Sequence, residues 1–387
     1  MRSALAIVMI LVSVLLLERA RQDVTITRFD VAATPVTRYV VDDTDGPVVV
    51  MAHGFAGSQQ MMQGYALPLA RAGYSVFVFE FLGHGRHGQP MSGDVTAIDG
   101  TTRLLMAQTS AVIDAVAREG AAVALVGHSM ATDILVRVAS ERTDTGLMVL
   151  ISAFSDAIGP ETPDTLLLVT GAWEPGLRDF ARRALRMVSA AAAEGETATN
   201  GATPRRAIVA PFSEPVSVLP SRVGRTEAVA WLDQAFGRTS NITALPTGWA
   251  ILALLGGLVF AFVRAVRFLP ERPAAPINLS IHQRMIVTLL PAALAPAVAV
   301  PLDFNLLPVL VADYLVLHLL IYGVAQLALL WIWGGRPGPL GLTGLVTLIV
   351  GCILFGVALD RYAANFWPTP GRLWIIAAML VGALPYL

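Results

Sequence analysis

The chain has 387 residues, 55% of them hydrophobic and only 14% charged, with a net charge of −1. A soluble globule carries roughly 25% charged residues, so much of this chain is expected in lipid, and the neutral balance with no basic stripe speaks against a polyanion or nucleic-acid partner. All 27 basic residues are arginine, which rules out a Ser–Lys dyad, and the single Cys352 rules out an internal disulfide or a cysteine-based metal cluster.

Residues Ala4 to Leu17 form an apolar run after Arg2, interrupted only by Ser13. The length suits a signal peptide, but Leu17-Glu18-Arg19-Ala20-Arg21 lacks a small-x-small cleavage site. Residues 1–21 therefore read as an uncleaved anchor, with a cleaved signal as the alternative. A polar domain follows over residues 22–244. Strands are expected at Val48–Met51, Ser75–Phe79, Ala122–Val126, Met148–Ile151, Leu166–Val169 and Ala207–Ala210. Helices are expected at Ser58–Ala72, Thr101–Glu119, Met130–Ser140, Pro175–Val188 and Arg222–Phe236, with stop signals such as Gly73 and Gly120. Ala190 to Thr203, rich in Ala, Gly and Thr, reads as a loop. Continuous apolar strands alternating with helices imply an α/β class with a doubly wound, mostly parallel sheet covered on both faces.

From residue 245 the chain becomes a helical transmembrane domain. Apolar segments fall near 247–263, 285–302, 306–333, 340–359 and 373–387, about five spans, and roughly 20 helical residues cross a bilayer. The last has only fifteen residues and reads as a short final helix or one ended early. Arg264, Arg267, Arg272 and Arg284 crowd one loop, and Arg336 lies two spans later. The positive-inside rule makes those loops cytoplasmic and places the polar domain on the extracytoplasmic side of a multi-pass membrane protein.

The chemistry centres on Gly127-His128-Ser129-Met130-Ala131, which follows the apolar Val123–Val126 and precedes a helix. A serine on a sharp strand-to-helix turn projects its hydroxyl at the carboxyl edge of the sheet. Small flanking residues are required, because the turn is strained and the helix packs close. The helix N-terminus behind it favours developing negative charge. His53-Gly54-Phe55 ends an earlier buried strand, and Phe81-Leu82-Gly83-His84-Gly85-Arg86 follows another.

These three motifs, in this order, resemble the α/β-hydrolase superfamily, close to its lipase/esterase and monoacylglycerol-lipase-like branch. The resemblance covers residues 46–237. The C-terminal spans lie outside it and suggest a bacterial membrane-attached form, in the inner membrane. It implies a serine hydrolase acting on a carboxylic ester, with Ser129 as nucleophile and the backbone N–H groups of Phe55 and Met130 as oxyanion donors. Glu174, after Leu168–Ala172, is the candidate acid; the competing reading is a helix-start carboxylate before Pro175. No room exists between Phe154 and Thr165 for a lid domain.

The resemblance also implies a histidine on the loop after Ala207–Ala210. That loop reads Pro211-Phe212-Ser213-Glu214-Pro215-Val216-Ser217-Val218-Leu219, with Pro215 nearest the expected position, and no histidine occurs between Ser129 and His282. Without its base a serine hydroxyl is a poor nucleophile near neutral pH. His84 and His87 lie at the correct edge of the sheet as substitute bases, against a loop-fixing role. His53 and His128 read as structural. His318, with Tyr314 and Tyr322, forms an i, i+4 stripe within a span, read most simply as a hydrogen-bonded helix contact. No cluster has metal-ligand spacing, so neither metal nor cofactor is expected. The expected partners are the bilayer and a small-molecule or lipid ester; nothing fixes the oligomeric state. The alternatives are a catalytically impaired pseudo-hydrolase serving as a binding module and, with least support, a transporter carrying an appended domain.

Overall fold

Strands that read as near-continuous apolar runs must be covered on both faces, and Val48–Ala52 (β3), Ser75–Phe79 (β4) and Val123–His128 (β5) are buried throughout. They lie in a computed structural model that describes residues 2–42, 45–91, 94, 98–201, 203–269, 277–309, 311–335 and 341–386. Within these, a nine-stranded sheet is completed by Thr25–Val31 (β1), Thr34–Val40 (β2), Leu147–Ile151 (β6), Thr165–Gly171 (β7), Thr197–Asn200 (β8) and Thr203–Ala210 (β9). The order is β1-β2-β4-β3-β5-β6-β7-β9-β8. The pairs from β4 through β3, β5, β6 and β7 to β9 are parallel; β1–β2, β2–β4 and β8–β9 are antiparallel.

Alternation along each strand feeds two separate cores. Val48, Val50 and Ala52 of β3 join Leu125, Leu150 and Leu168 on one face. There they meet helices Arg103–Val116 (α3), Met130–Ser140 (α4) and Pro175–Arg186 (α5). Val49 and Met51 join Val126, Val149 and Leu167 on the other face, under helices Gln59–Arg71 (α2) and Arg222–Ala235 (α6). The doubly wound reading of the sequence is the observed fold.

Two pieces of the sheet depart from the sequence expectation. The β1–β2 hairpin, joined through Ala32 at a φ of 51°, forms an antiparallel edge that no motif announced. The segment read as a loop at 190–203 contains β8, which pairs with β9 from Thr197↔Arg206 to Asn200↔Thr203. The backbone groups of β9 would otherwise form an open edge, and the short β8 satisfies them.

The chain divides into two compact units, Met1–Ala261 with Phe355–Trp367, and Phe262–Leu354 with Pro368–Leu387. In the first, besides the sheet and its helices, Arg2–Arg21 (α1) packs on Thr247–Val266 (α7): Leu17 is buried with Ala250 and Leu254. In the second, Ile281–Leu302 (α8) packs on Ala312–Ile332 (α9), which also carries Leu373–Ala383 (α11). Of Leu342–Tyr362 (α10), the part up to Leu354 belongs to the second unit and the part from Phe355 to the first. Helices α7, α8, α9 and α10 are long and apolar enough to cross a membrane; α11 has only 11 residues. The Tyr314 hydroxyl lies 3.1 Å from His318 Nδ1, the intrahelical contact expected of that stripe.

Leu125 sits fully buried at the centre of the first core. Leu125→Ala should cost about 2–5 kcal/mol, read as a lowered denaturation midpoint of the detergent-solubilised chain.

Candidate active site at the switch point of the sheet

Chain order reverses between β3 and β5, which lie side by side, and at such a switch point the loops leaving the two strands diverge to open a crevice. The register Ala52↔Gly127 brings both strand ends to the same level. Ser129 follows β5 with φ 51° and ψ −118° and starts α4. A serine gains nothing from this left-handed region, and holding it there costs about 1–3 kcal/mol. The surroundings enforce it. The Ser129 N–H donates to the Ile151 carbonyl at 2.9 Å, and the Ser129 carbonyl accepts from the Thr132 N–H at 2.8 Å. A Cβ on Gly127 would come 2.7 Å from Leu135 Cδ1, so a larger residue there would have to displace the Leu135 side chain. Ser129 is half-buried, and among the described residues its hydroxyl has no hydrogen-bond partner.

Gly54 makes the other close approach. A Cβ at this position would stand 2.9 Å from His128 Nδ1 and 3.0 Å from Ser129 Cβ. The bare backbone of the β3 loop thus rests on the serine turn, with Phe55 next in chain. Among the described residues neither the Phe55 nor the Met130 N–H has a backbone or side-chain acceptor. Two unengaged N–H groups flanking a serine at a helix N-terminus have the chemistry of an oxyanion site. His53 holds this loop: its Nδ1–H donates to the Gly54 carbonyl at 2.8 Å, and its Nε2 accepts the Phe81 N–H at 3.2 Å.

Residue 215 lies beside the serine turn, through its backbone. The Nε2–H of His128 donates to the Pro215 carbonyl at 2.7 Å, so the residue before the nucleophile candidate clamps the β9–α6 loop. Burial pushes the His128 imidazole down to about 4, helped by His53 and opposed by the Pro215 carbonyl and the Glu214 charge. The imidazole is therefore neutral at pH 7. Glu214 braces the same loop by accepting from the Val216 and Ser217 N–H groups at 3.0 and 2.8 Å. Burial raises its carboxyl pKa, but these donors outweigh that effect and leave it lowered.

Glu174 is buried at the mouth of β7, where its carboxylate accepts the Gly171 N–H. Its Oε1 is buried and has no partner among the described residues. The carboxylate and the 211–219 loop are close: Trp173 N–H donates to the Ser213 carbonyl at 2.9 Å. His84 and His87 are also buried. His84 Nδ1 is 2.8 Å from the Leu82 carbonyl, and His87 Nδ1 accepts the Gln89 N–H at 3.1 Å. Neither is hydrogen-bonded to Ser129.

One neighbour had no sequence signal. The end of α10 and the turn after it are tied to the loops that follow β3 and β4. The Asn365 N–H donates to Ser58 Oγ at 3.0 Å, and Arg86 reaches Asp360 at 2.6 Å and Asn365 Oδ1 at 3.1 Å. The Ser58 hydroxyl, free of any helix-capping bond of its own, is used there.

A mostly parallel sheet with a serine turn at its switch point, and an unengaged amide on the neighbouring loop as well as at the start of the following helix, is the architecture of an α/β hydrolase. Residues 45–194 match the family described as serine aminopeptidase, S33, and the domain that contains them has the α/β-hydrolase fold. Among curated proteins no sequence matches the chain. Among solved structures it is similar to a dienelactone hydrolase from Anabaena variabilis (15% identity, covering 55% of this chain and 99% of that one, TM-score 0.43). It is similar also to an epoxide hydrolase from Vigna radiata (21%, 34% and 41%, 0.28) and to a thioesterase domain from the curacin biosynthetic pathway (26%, 33% and 43%, 0.27). The chain thus spans under half the length of the epoxide hydrolase.

The clamp has a pH signature. Between pH 6.5 and about 4 the unfolded chain binds a proton at residue 128 that the folded chain refuses. Stability therefore rises with pH across this window and falls as pH drops through it. His128→Gln keeps a donor for Pro215 and removes the titration. The melting temperature of the wild type should fall more between pH 7 and 5 than that of His128→Gln.

Proposed function

We propose that this chain is a membrane-attached serine hydrolase acting on carboxylic esters with an apolar acyl group, a lipid ester among them, with Ser129 as nucleophile. The observation carrying this reading is the Ser129 turn itself: a strained backbone presenting an unengaged hydroxyl beside two unengaged N–H groups. Ser129 Oγ would bond to the ester carbonyl carbon and lose its proton to solvent. The developing oxyanion would be held by the Phe55 and Met130 amides. The alcohol would leave with a proton from water, and a second water would release the acid and free Ser129.

The substrate class is supported by the collar of this edge. Phe55, Phe154, Trp173, Phe212 and Val216, all on loops at the carboxyl ends of strands, keep 47–76% of their surfaces exposed. Exposed apolar patches of this kind mark sites for amphiphilic ligands. Attachment is supported by the four long apolar helices, and the arginine-rich loop between Arg264 and Arg284 favours a multi-pass bacterial inner-membrane protein with the hydrolase domain extracytoplasmic.

With no histidine paired to Ser129, solvent hydroxide is the base. The rate should climb with pH through 9 without the inflection near 6–7 that a histidine base imposes. A fluorophosphonate probe should label the wild type slowly and Ser129→Ala not at all. An unlabelled wild-type serine in the folded protein ends the catalytic reading.

One observation favours a second reading, a pseudo-hydrolase that binds without turnover. The buried Glu174 Oε1 lacks a partner, as an acid would whose histidine has been lost. Pro215→His separates the two states of the site. Esterase activity should rise by about 10²–10⁴, the usual contribution of a positioned general base, and Glu174→Ala should remove most of the gain. A flat response to Pro215→His would show that residue 215 does not occupy the base position.

A further inference from the structure

Beside the collar, within the same compact unit, α1, α2, α7 and the 214–220 loop enclose a cavity of about 380 Å³. Its volume falls in the range of ligand sites, roughly 300–1,000 Å³. Leu17, Met61, Leu67, Val216, Leu252 and Leu255 make its wall apolar. Along this apolar wall water gains no partners, so hydrocarbon is its natural filling. The wall continues outward onto the exposed apolar faces of α1, with Leu11 and Leu15, and of α7, with Trp249 and Phe260.

The charge lining the cavity is mostly positive. Arg21 and Arg71 line it, and among the described residues neither is in an ion pair. Arg21 donates to the Gln63 side chain and the Arg361 carbonyl, and Arg71 to the Arg19 and Gln22 carbonyls. The acid on the wall, Glu214, is committed to the loop N–H groups of Val216 and Ser217. The third basic residue, Arg225, is fully engaged by Thr247 and by the Pro220, Ser221 and Leu245 carbonyls.

We propose that this cavity is a lipid site, holding one acyl chain of an anionic bilayer phospholipid whose phosphate lies against Arg21 and Arg71. The lipid is a resident, distinct from any ester cleaved at Ser129, and the inference rests on the membrane attachment proposed above. Its chain would pack on Val216, next to the residue whose carbonyl holds His128, so occupancy would stiffen the loop beside the serine.

The test uses the full chain in bilayers containing phosphatidylglycerol or phosphatidylcholine with a diazirine in the acyl chain. After irradiation, labelled residues are mapped by peptide mass spectrometry. Label is expected on Met61 and Leu67 of α2, which belong to the hydrolase domain, and roughly tenfold or more with phosphatidylglycerol than with phosphatidylcholine. Leu252→Trp should fill the cavity and abolish the α2 label while Trp249 and Phe260 stay labelled. Arg71→Gln should erase the preference for the anionic lipid, and it reads the same site should Leu252→Trp not accumulate. An unlabelled α2 beside a labelled α7 overturns the cavity assignment, and equal labelling by both lipids overturns the headgroup. An unlabelled α7 removes the membrane premise and the proposal with it. Fluorophosphonate labelling of Ser129 on the same preparation reports the hydrolase reading independently, because neither variant touches the Ser129 site.

Discussion

Parallel pairing of β3 with β5 is the constraint from which the site follows. It brings Ala52 level with Gly127, so the two loops that leave these strands start side by side. Each carries a glycine at the contact, Gly127 under the helix that follows and Gly54 over the turn, where a Cβ would crowd Leu135 and the His128–Ser129 turn respectively. With both in place, Ser129 holds a left-handed backbone, and among the described residues its hydroxyl has no hydrogen-bond partner. The strain is supported by two fully buried cores on opposite faces of the sheet, which give the strand ends little freedom to relax.

Most of the α/β order was legible because its signals are local. Val48–Val50 or Leu166–Leu168 have no polar alternation, and a strand with that pattern must be central. The Ser75–Phe79 strand and the Met130–Ser140 helix were read to the residue. The edges were harder. β1 is mostly exposed, with Arg28 and Asp30 on it, and its hairpin turns through Ala32 in a left-handed conformation that alanine seldom adopts. β8 carried a usable clue, Asn200-Gly201, the dipeptide of tight hairpins, and the alanine-rich composition around it masked the signal.

The candidate site divides along the same line. The serine turn and the Gly54 loop lie in contiguous motifs, so sequence placed them. The tie between Pro215 and His128 joins residues 87 positions apart through a main-chain carbonyl, which has no side-chain signature. Asp360 and Asn365 reach Ser58, Gln60 and Arg86 across some 300 positions, from the end of an apolar helix. Only the folded chain makes those contacts evident.

The His128 clamp bears on how a site of this design persists without a histidine on the β9–α6 loop. Where a triad is complete, the loop histidine is fixed by the serine on one side and the acid on the other. Here neither contact exists, yet the loop is held from beneath by the His128 Nε2–H and within itself by Glu214 accepting two of its N–H groups. Both devices use main-chain atoms of the loop, so they are indifferent to the side chain at residue 215. Loop position and base chemistry are thereby uncoupled. Ser129, the Phe55 and Met130 amides and the buried Glu174 can stay in place while residue 215 varies. The scaffold therefore constrains whether a substrate can bind beside Ser129 far more tightly than how fast the hydroxyl reacts.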